Sequence, residues 1–363
     1  VGSKGGIILA AGGTGGHLFP AQALARKILE ERPGVELLFA GTGLSTSRYF
    51  DREEFNYCDL PSASPFVGGF WRRMKALPAL VRGVLQAVGL LRREKPDLVV
   101  GFGSFHAFPV LAAAWLLKLP IILFEPNIFP GRVNRLFAPA ARLCAVQFAE
   151  TSPHLGRAVQ LVAAPTSCSV CSDRAAARQF FGLQPDRFTL LIFGGSQGAA
   201  SLNQLMKELA ALRPELLNAM QLIHLAGQPA AAEEMVAAYA GLPLVSVRSF
   251  EQRMDLAYAA ADLALCRAGA ATVAELVAFE VPSLLVPYPH GSDRHQHANA
   301  AALERQGCAK VELEETLTVE KLALCLKELQ EGGLQRMRTA LAILKQEQRH
   351  ATLWDLVREV WER

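Results

Sequence analysis

Three short stretches of this sequence set glycines where a ligand can come close to the backbone: Gly12-Gly13-Thr14-Gly15-Gly16-His17, Gly101-Phe102-Gly103-Ser104-Phe105 and Gly194-Gly195-Ser196-Gln197-Gly198. A glycine turn between a strand and a helix aims backbone N–H groups and the positive end of the helix dipole at one point. This makes an anion site without any cationic side chain. His17 is the one titratable side chain of the first turn, and an imidazole there can take a proton from an attacking hydroxyl near neutral pH. The alternative is that it caps the helix or hydrogen-bonds a phosphate. The second half adds Arg267-Ala268-Gly269-Ala270-Ala271-Thr272-Val273-Ala274-Glu275. Thr272-x-x-Glu275 spells a helix capping box, yet a carboxylate near the switch edge of a sheet can also accept from both hydroxyls of a ribose.

Other chemistries are excluded by what is missing. A dinucleotide site needs a third glycine and an acid ending the second strand; here Gly13-Thr14-Gly15 runs on to Gly16-His17-Leu18, and that strand ends Ala40-Gly41-Thr42. No GxxxxGK[ST] and no Asp-x-Asp occurs, which favours a transferase that holds its donor without metal. His290, His295 and His297 lack the helical i, i+4 spacing of a zinc pair and read as loop polarity. Cys168-Ser169-Val170-Cys171 has no second pair, and the seven scattered cysteines read as core residues of a reducing compartment. No cofactor is expected.

The elements that must carry these groups alternate between strand and helix. Ile7 to Ala11 is a buried strand, and a helix starting at Pro20 shows one apolar face of Ala21, Leu24, Ala25, Ile28 and Leu29. Strands follow at Val35 to Ala40, Leu98 to Gly101 and Ile121 to Phe124. The device repeats with a strand Phe188 to Phe193 and a helix face of Leu202, Leu205, Met206 and Leu209, then strands Leu263 to Cys266 and Ser283 to Val286. This is an α/β pattern of two similar domains with parallel sheets, and 363 residues at 51% hydrophobic suffice for two cores. The expected division is 1–162, 163–340 with a linker around Ala163 to Asp173, and a final helix from about Leu334 that can pack on either domain, with its part 341–363 a candidate to pack back on the first.

The net charge of +3 hides an asymmetry. Residues 1–160 hold 18 Lys/Arg against 11 Asp/Glu, and the remainder 19 against 23. Without a nucleic-acid-binding motif, an anionic membrane or a phosphorylated substrate is the better partner for the basic half. The longest apolar run, Val110 to Phe124, is broken by Lys118 and Pro120 and is too short to span a bilayer. The start Val1-Gly2-Ser3-Lys4 lacks the pattern of a signal peptide, so a cytoplasmic location is expected. Around Phe70, Trp71, Arg72, Arg73 and Lys75, bulky apolar residues alternate with cations, as in a segment that lies on an anionic membrane.

Gly12 through Pro20 resembles the first signature of the MurG family, Glu125-Pro126-Asn127 its H-E-Q-N segment, and Gly194 through Ala199 its third glycine loop. Arg267 to Glu275 and Asp293-Arg294-His295-Gln296 are similar to its donor segments. The resemblance implies a GT-B fold, two Rossmann-like domains with parallel sheets facing across a cleft. It implies UDP-N-acetylglucosamine as donor and lipid I, undecaprenyl-pyrophosphoryl-MurNAc-pentapeptide, as acceptor, giving lipid II with inversion and without metal. It further implies a peripheral protein on the inner face of the cell membrane, with other cell-wall synthesis proteins as partners and no nucleic acid.

Carried over to this chain, the resemblance makes His17 the candidate base and Glu125 its catalytic companion. Thr14, Gly15, Gly16, Asn127, Ser167, Ser196, the backbone at Glu251, Arg267, Ala270 to Glu275 and Gln296 hold the donor, with Glu275 on the ribose and Gln296 on the sugar hydroxyls. Gly13, Gly103, Ser104 and Phe105 hold the acceptor. Departures stand out. Pro165-Thr166-Ser167 replaces a Pro-Val-Arg whose arginine contacts the diphosphate, leaving Arg267 to compensate. Ser104 replaces a usual glycine, Phe105 a tyrosine, and Glu251 an aliphatic residue. Another GT-B enzyme, such as a glycolipid synthase or a UDP-sugar epimerase, and a catalytically impaired UDP-sugar-binding protein are the alternatives.

Overall fold

The computed structural model describes residues 5–63, 70–166, 173–194, 199–289, 295–348 and 351–363, with the backbone alone over 70–76. The chain forms two compact units, residues 1–167 with 348–363, and residues 168–347.

The first unit is built on β1 (Ile7–Ala10), α1 (Gly15–Glu31), β2 (Leu37–Gly41), β3 (Tyr57–Asp59), α2 (Phe70–Glu94), β4 (Leu98–Gly101), α3 (Ser104–Leu116), β5 (Ile121–Glu125), α4 (Arg132–Phe137), β6 (Leu143–Val146), α5 (Ser152–Leu155) and β7 (Gln160–Leu161). Its parallel sheet has the order β3-β2-β1-β4-β5-β6-β7, with Ile7 opposite both Leu37 and Leu98. Continuous apolar runs form these strands because both faces are covered. Ile7, Leu9 and Ala11 enter one core with α1, while Ile8 and Ala10 enter another with α2 and α3. The strand order reverses at β1, so the loops after β1 and β4 lie side by side at the carboxyl edge, where α/β sheets bind ligands.

Helix α1 begins at Gly15, behind an extended Thr14, and not at Pro20 as the sequence pattern predicts. Pro20 lies inside the helix and cannot donate to the Gly16 carbonyl four residues back. Gly16 is exposed, so water can take that bond, and the helix extends into the glycine turn.

The second unit holds α6 (Arg174–Phe180), β8 (Thr189–Phe193), α7 (Ala200–Leu212), α8 (Pro214–Asn218), β9 (Gln221–Leu225), α9 (Pro229–Ala238), β10 (Val245–Arg248), α10 (Met254–Ala260), β11 (Leu263–Cys266), α11 (Ala270–Ala278), β12 (Ser283–Leu285), α12 (His295–Arg305), β13 (Ala309–Val311), α13 (Val319–Glu328) and α14 (Leu334–Gln348). Its parallel sheet runs β10-β9-β8-β11-β12-β13. The reversal at β8 again sets two strand ends side by side, here the carboxyl ends of β8 and β11. Leu190 and Ile192 pack with Leu202, Leu205, Met206 and Leu209 in its core.

The single final helix expected from the sequence is two, α14 and then α15 (Leu353–Glu362). Thr352 caps α15 through a reciprocal box with Asp355, which fixes a fresh start there. α15 belongs to the first unit: Leu353, Trp354, Leu356 and Val357 are buried with Ile7, Leu24 and Ile28. The Trp354 indole donates to Glu31 at 2.7 Å, and that of Trp361 to the Gly5 carbonyl at 3.3 Å.

Candidate active site

In the first unit three loops interlock at the carboxyl edge. His17, in the first turn of α1, donates from Nδ1 to the Phe102 carbonyl at 2.8 Å, which ties the first glycine turn to the second. A carbonyl only accepts, so in the neutral ring the proton sits on Nδ1 and Nε2 carries the lone pair, the form a general base requires. Gly13 and Gly103 take φ of +84° and +80°, where side chains are disfavoured. Ser104 also lies at φ +67°, a conformation that costs a serine roughly 1–2 kcal/mol. Its Oγ lies 2.7 Å from Nδ1 of His106. Phe105 is half-buried, and its ring stacks on Phe108 with centroids 6.2 Å apart. Gly15 is buried, and Thr14 and Gly16 are exposed beside it.

Glu125 closes β5 and is 3% exposed. Its Oε1 accepts from the backbone and side-chain N–H of Asn127 at 3.0 and 3.1 Å, and its Oε2 from Gly131 N and Asn134 Nδ2, both at 2.9 Å. Burial pushes this carboxyl above its ordinary range against those four donors. Both oxygens of Glu125 are thus engaged in holding the 125–134 loop, and Asn134 packs 3.2 Å from where a Cβ on Gly103 would stand.

In the second unit the segment after β11 forms the first turns of α11. Gly269 is the N-cap, so Thr272 is the third helical residue and the capping box spelled by Thr272 and Glu275 does not form. Ala270, Val273 and Ala274 are buried, Ala271 and Thr272 half-buried. Glu275 is half-buried too and accepts from the Tyr258 hydroxyl at 2.7 Å. Burial pushes its carboxyl up to about 7, against that hydrogen bond. The Gln296 Oε1 on α12 accepts from Tyr288 N at 2.9 Å, which leaves the amide NH₂ as its donor.

Arg267 cannot make good the cation missing at 167. It is 6% exposed, ion-paired with Glu314, and donates to Ser201 Oγ at 2.8 Å and to the Val286 carbonyl at 3.0 Å. Its charge is already matched, and it ties the ends of β11 and β12 to the start of α7. The Glu251 side chain is buried and paired with Arg248, and it accepts from Arg253 N at 2.7 Å. The change from an aliphatic residue is therefore absorbed by the fold. Ser167, Ser196, Cys168, Cys171, His290 and the Asp293-Arg294 pair lie outside the described residues, as do the side chains of Phe70, Trp71, Arg72, Arg73 and Lys75. Among the described residues no group of three or more His, Cys, Asp or Glu is placed to hold a metal.

From Leu77 onward, α2 carries an exposed apolar stripe, Leu77 (65% exposed), Val81 (53%) and Leu85 (67%), one helical turn apart, with Arg82, Arg92 and Arg93 exposed beside it. Trp115 and Leu116 at the end of α3, which packs on α2, are likewise exposed near Lys118 and Arg142. No described helix is long and apolar enough to cross a membrane. Sequence reasoning missed His106, Asn134, Tyr258 and Glu314; only His106, two residues past Ser104, lay close to a motif.

Two parallel α/β sheets, each with a switch point at its carboxyl edge, are the architecture of the two-domain, GT-B class of glycosyltransferases. Models of the glycosyltransferase family 28 N-terminal and C-terminal domains match residues 7–146 and 189–353. The glycotransferase of kitacinnamycin shares the fold at a TM-score of 0.72 and 18% identity, over 99% of this chain and 100% of that one. The UDP-N-acetylglucosamine–N-acetylmuramyl-(pentapeptide) pyrophosphoryl-undecaprenol N-acetylglucosamine transferase of Protochlamydia amoebophila is 40% identical, over 81% of this chain and 79% of its own. That of Moorella thermoacetica is 39% identical over 89% and 90%. The solved MurG of Acinetobacter baumannii superimposes with a TM-score of 0.77 at 28% identity, over 98% and 99%. The chain belongs to the MurG family.

Proposed function

We propose that this protein transfers N-acetylglucosamine from UDP-N-acetylglucosamine to the 4-hydroxyl of MurNAc in lipid I, giving lipid II and UDP. The match to N-acetylglucosamine transferases over more than four-fifths of the chain carries this reading. The acceptor oxygen attacks the anomeric carbon from the face opposite UDP, so the bond to the diphosphate breaks and the configuration inverts. The hydroxyl proton passes to Nε2 of His17, whose tautomer the Phe102 carbonyl sets. The Gly13 and Gly103 turns receive the acceptor's diphosphate. Glu125, through Asn127 and Asn134, is a positioning residue that shapes those turns.

The second unit supplies the donor cradle. Glu275 accepts from the ribose hydroxyls, the Gln296 amide donates from its NH₂ to the sugar, and the first backbone N–H groups of α11 meet the negative charge that develops on UDP. The exposed stripe Leu77, Val81 and Leu85 with its flanking arginines supports peripheral binding to the anionic inner face of the membrane, where a lipid-linked acceptor resides. Incubation with UDP-N-acetylglucosamine and a lipid I analogue tests the reading. A β-linked disaccharide product is expected. UDP-N-acetylmannosamine formed without acceptor, or donor binding without turnover, would replace it with an epimerase or an impaired binding protein.

A further inference from the structure

Two histidines stand at the paired turns of the first unit, and their Nδ1 atoms face different partners. His17 gives its Nδ1 proton to a carbonyl and keeps a lone pair on Nε2. His106 faces a hydroxyl instead: its Nδ1 lies 2.7 Å from Ser104 Oγ, and the same Oγ accepts the backbone N–H of His106 at 3.4 Å. A hydroxyl has one proton and two lone pairs, so Oγ can accept from that N–H and still donate its own proton to Nδ1; in that polarity the neutral ring carries its proton on Nε2. Burial holds this imidazole below its ordinary pKa, which keeps it neutral at neutral pH.

The ring lies across the first turn. A Cβ on Gly13 would come within 2.7 Å of Nδ1 and 2.9 Å of Cε1, and one on Gly12 within 2.7 Å of the His106 Cβ. Among the described residues Nε2 of His106 has no hydrogen-bond partner, and it is not among the side-chain atoms sealed from water. With Ser104 donating to Nδ1, an N–H donor stands open to solvent beside the turn that receives the acceptor. A glycine at 104, usual in the family, would offer no hydroxyl to fix the ring in this form.

We propose that His106 is a specificity-determining residue of the acceptor site, donating from Nε2 to the acceptor's diphosphate while Ser104 holds the ring in that polarity. The inference rests on the reading that the acceptor diphosphate binds at the Gly13 and Gly103 turns. In its Ser104-bonded form His106 is no second base, because its exposed nitrogen already carries a proton.

The experiment measures KM for a lipid I analogue, kcat, and Kd for UDP-N-acetylglucosamine in three variants. His106→Phe keeps a ring against Gly12 and Gly13 without the donor, and loss of one hydrogen bond to a charged group raises acceptor KM about tenfold or more. Its kcat and donor Kd stay within about twofold, because the interaction is made equally before and during reaction. His106→Gln, whose amide places an N–H near the former Nε2, recovers most of the loss. Ser104→Gly suits the left-handed backbone, so it keeps the fold even where the ring variants do not, and it raises acceptor KM several-fold by releasing the tautomer. Unchanged acceptor KM in His106→Phe or Ser104→Gly overturns the inference, as does a His106→Gln no better than His106→Phe. If turnover then still collapses in His17→Ala, the acceptor-site reading stands and only the part given to His106 falls. If turnover survives there too, that reading itself fails.

Discussion

Donor binding is predicted to strengthen with rising pH, through Glu275. With its carboxyl pushed up to about 7, about a tenth of the sites are ionised near pH 6 and about nine-tenths near pH 8. Two ribose hydroxyls donating to this group favour the carboxylate, so bound donor returns its pKa toward the ordinary range. The association constant then rises about tenfold between about pH 6 and about pH 8, worth about 1.4 kcal/mol. UDP-N-acetylglucosamine is the ligand to use, since a terminal phosphate ionises near about pH 6 on its own account. Calorimetry near neutral pH in buffers of different ionisation enthalpy should show about half a proton released per donor bound. Glu275→Gln should flatten the profile, and Tyr258→Phe, which removes the 2.7 Å hydrogen bond, should move it to higher pH. The same shift acts on folding with a definite sign. A raised carboxyl pKa favours the folded state below the ordinary value of 4.5, and that contribution is lost as pH rises through about 7. Relative to the native protein, Glu275→Gln should therefore gain up to about 3 kcal/mol of stability between about pH 4 and pH 8. A donor Kd independent of pH over this range, with the same profile in Glu275→Gln, would refute the reasoning.

Three further outcomes follow. His17→Ala should lower kcat by about 100- to 10,000-fold with donor Kd hardly moved, as read by steady-state kinetics beside a donor titration. Gln296→Ala should weaken UDP-N-acetylglucosamine by about tenfold and UDP by much less, with its amide assigned to the sugar alone; equal losses in calorimetry would end that assignment. Replacing Leu77, Val81 and Leu85 together with serine should cut cosedimentation with anionic liposomes at least severalfold, with thermal unfolding unchanged because the three are exposed.

The central strands and the first two glycine turns were legible because they are local, whereas β3, β6, β7, β9, β10 and β13 were not named from the sequence. An apolar run such as Ile7 to Ala10, then glycines, then an apolar face at helical spacing needs no distant partner to be recognised. What escaped depends on contacts between remote residues or on where the chain turns. Thr272 and Glu275 have capping-box spacing, but Gly269 takes the cap, and only the backbone path decides that. Arg267 reads as an open cation until Glu314, 47 residues on, is found to pair with it. Nor does the sequence show that Gly131 and Asn134 take Oε2 of Glu125. His106 lies far from Gly12 in sequence, and only strand adjacency at the β1 reversal sets it against that turn. The start of α1 was misplaced because Pro20 is tolerated within a helix whose Gly16 carbonyl can meet water.

The return of α15 to the first unit has a consequence for how a ribosome can make this molecule. The cluster around Ile7, Leu24 and Ile28 is finished only by Leu353, Trp354, Leu356 and Val357, and the second unit, 168–347, is translated in between. At about 5–20 residues per second its roughly 180 residues take on the order of ten to forty seconds. Throughout that interval the nascent first unit lacks the lid over α1, and its Glu31 carboxylate waits for the Trp354 indole. The unit made first is thus the one completed last, and a fragment ending near residue 167 would keep that apolar face bare to other chains.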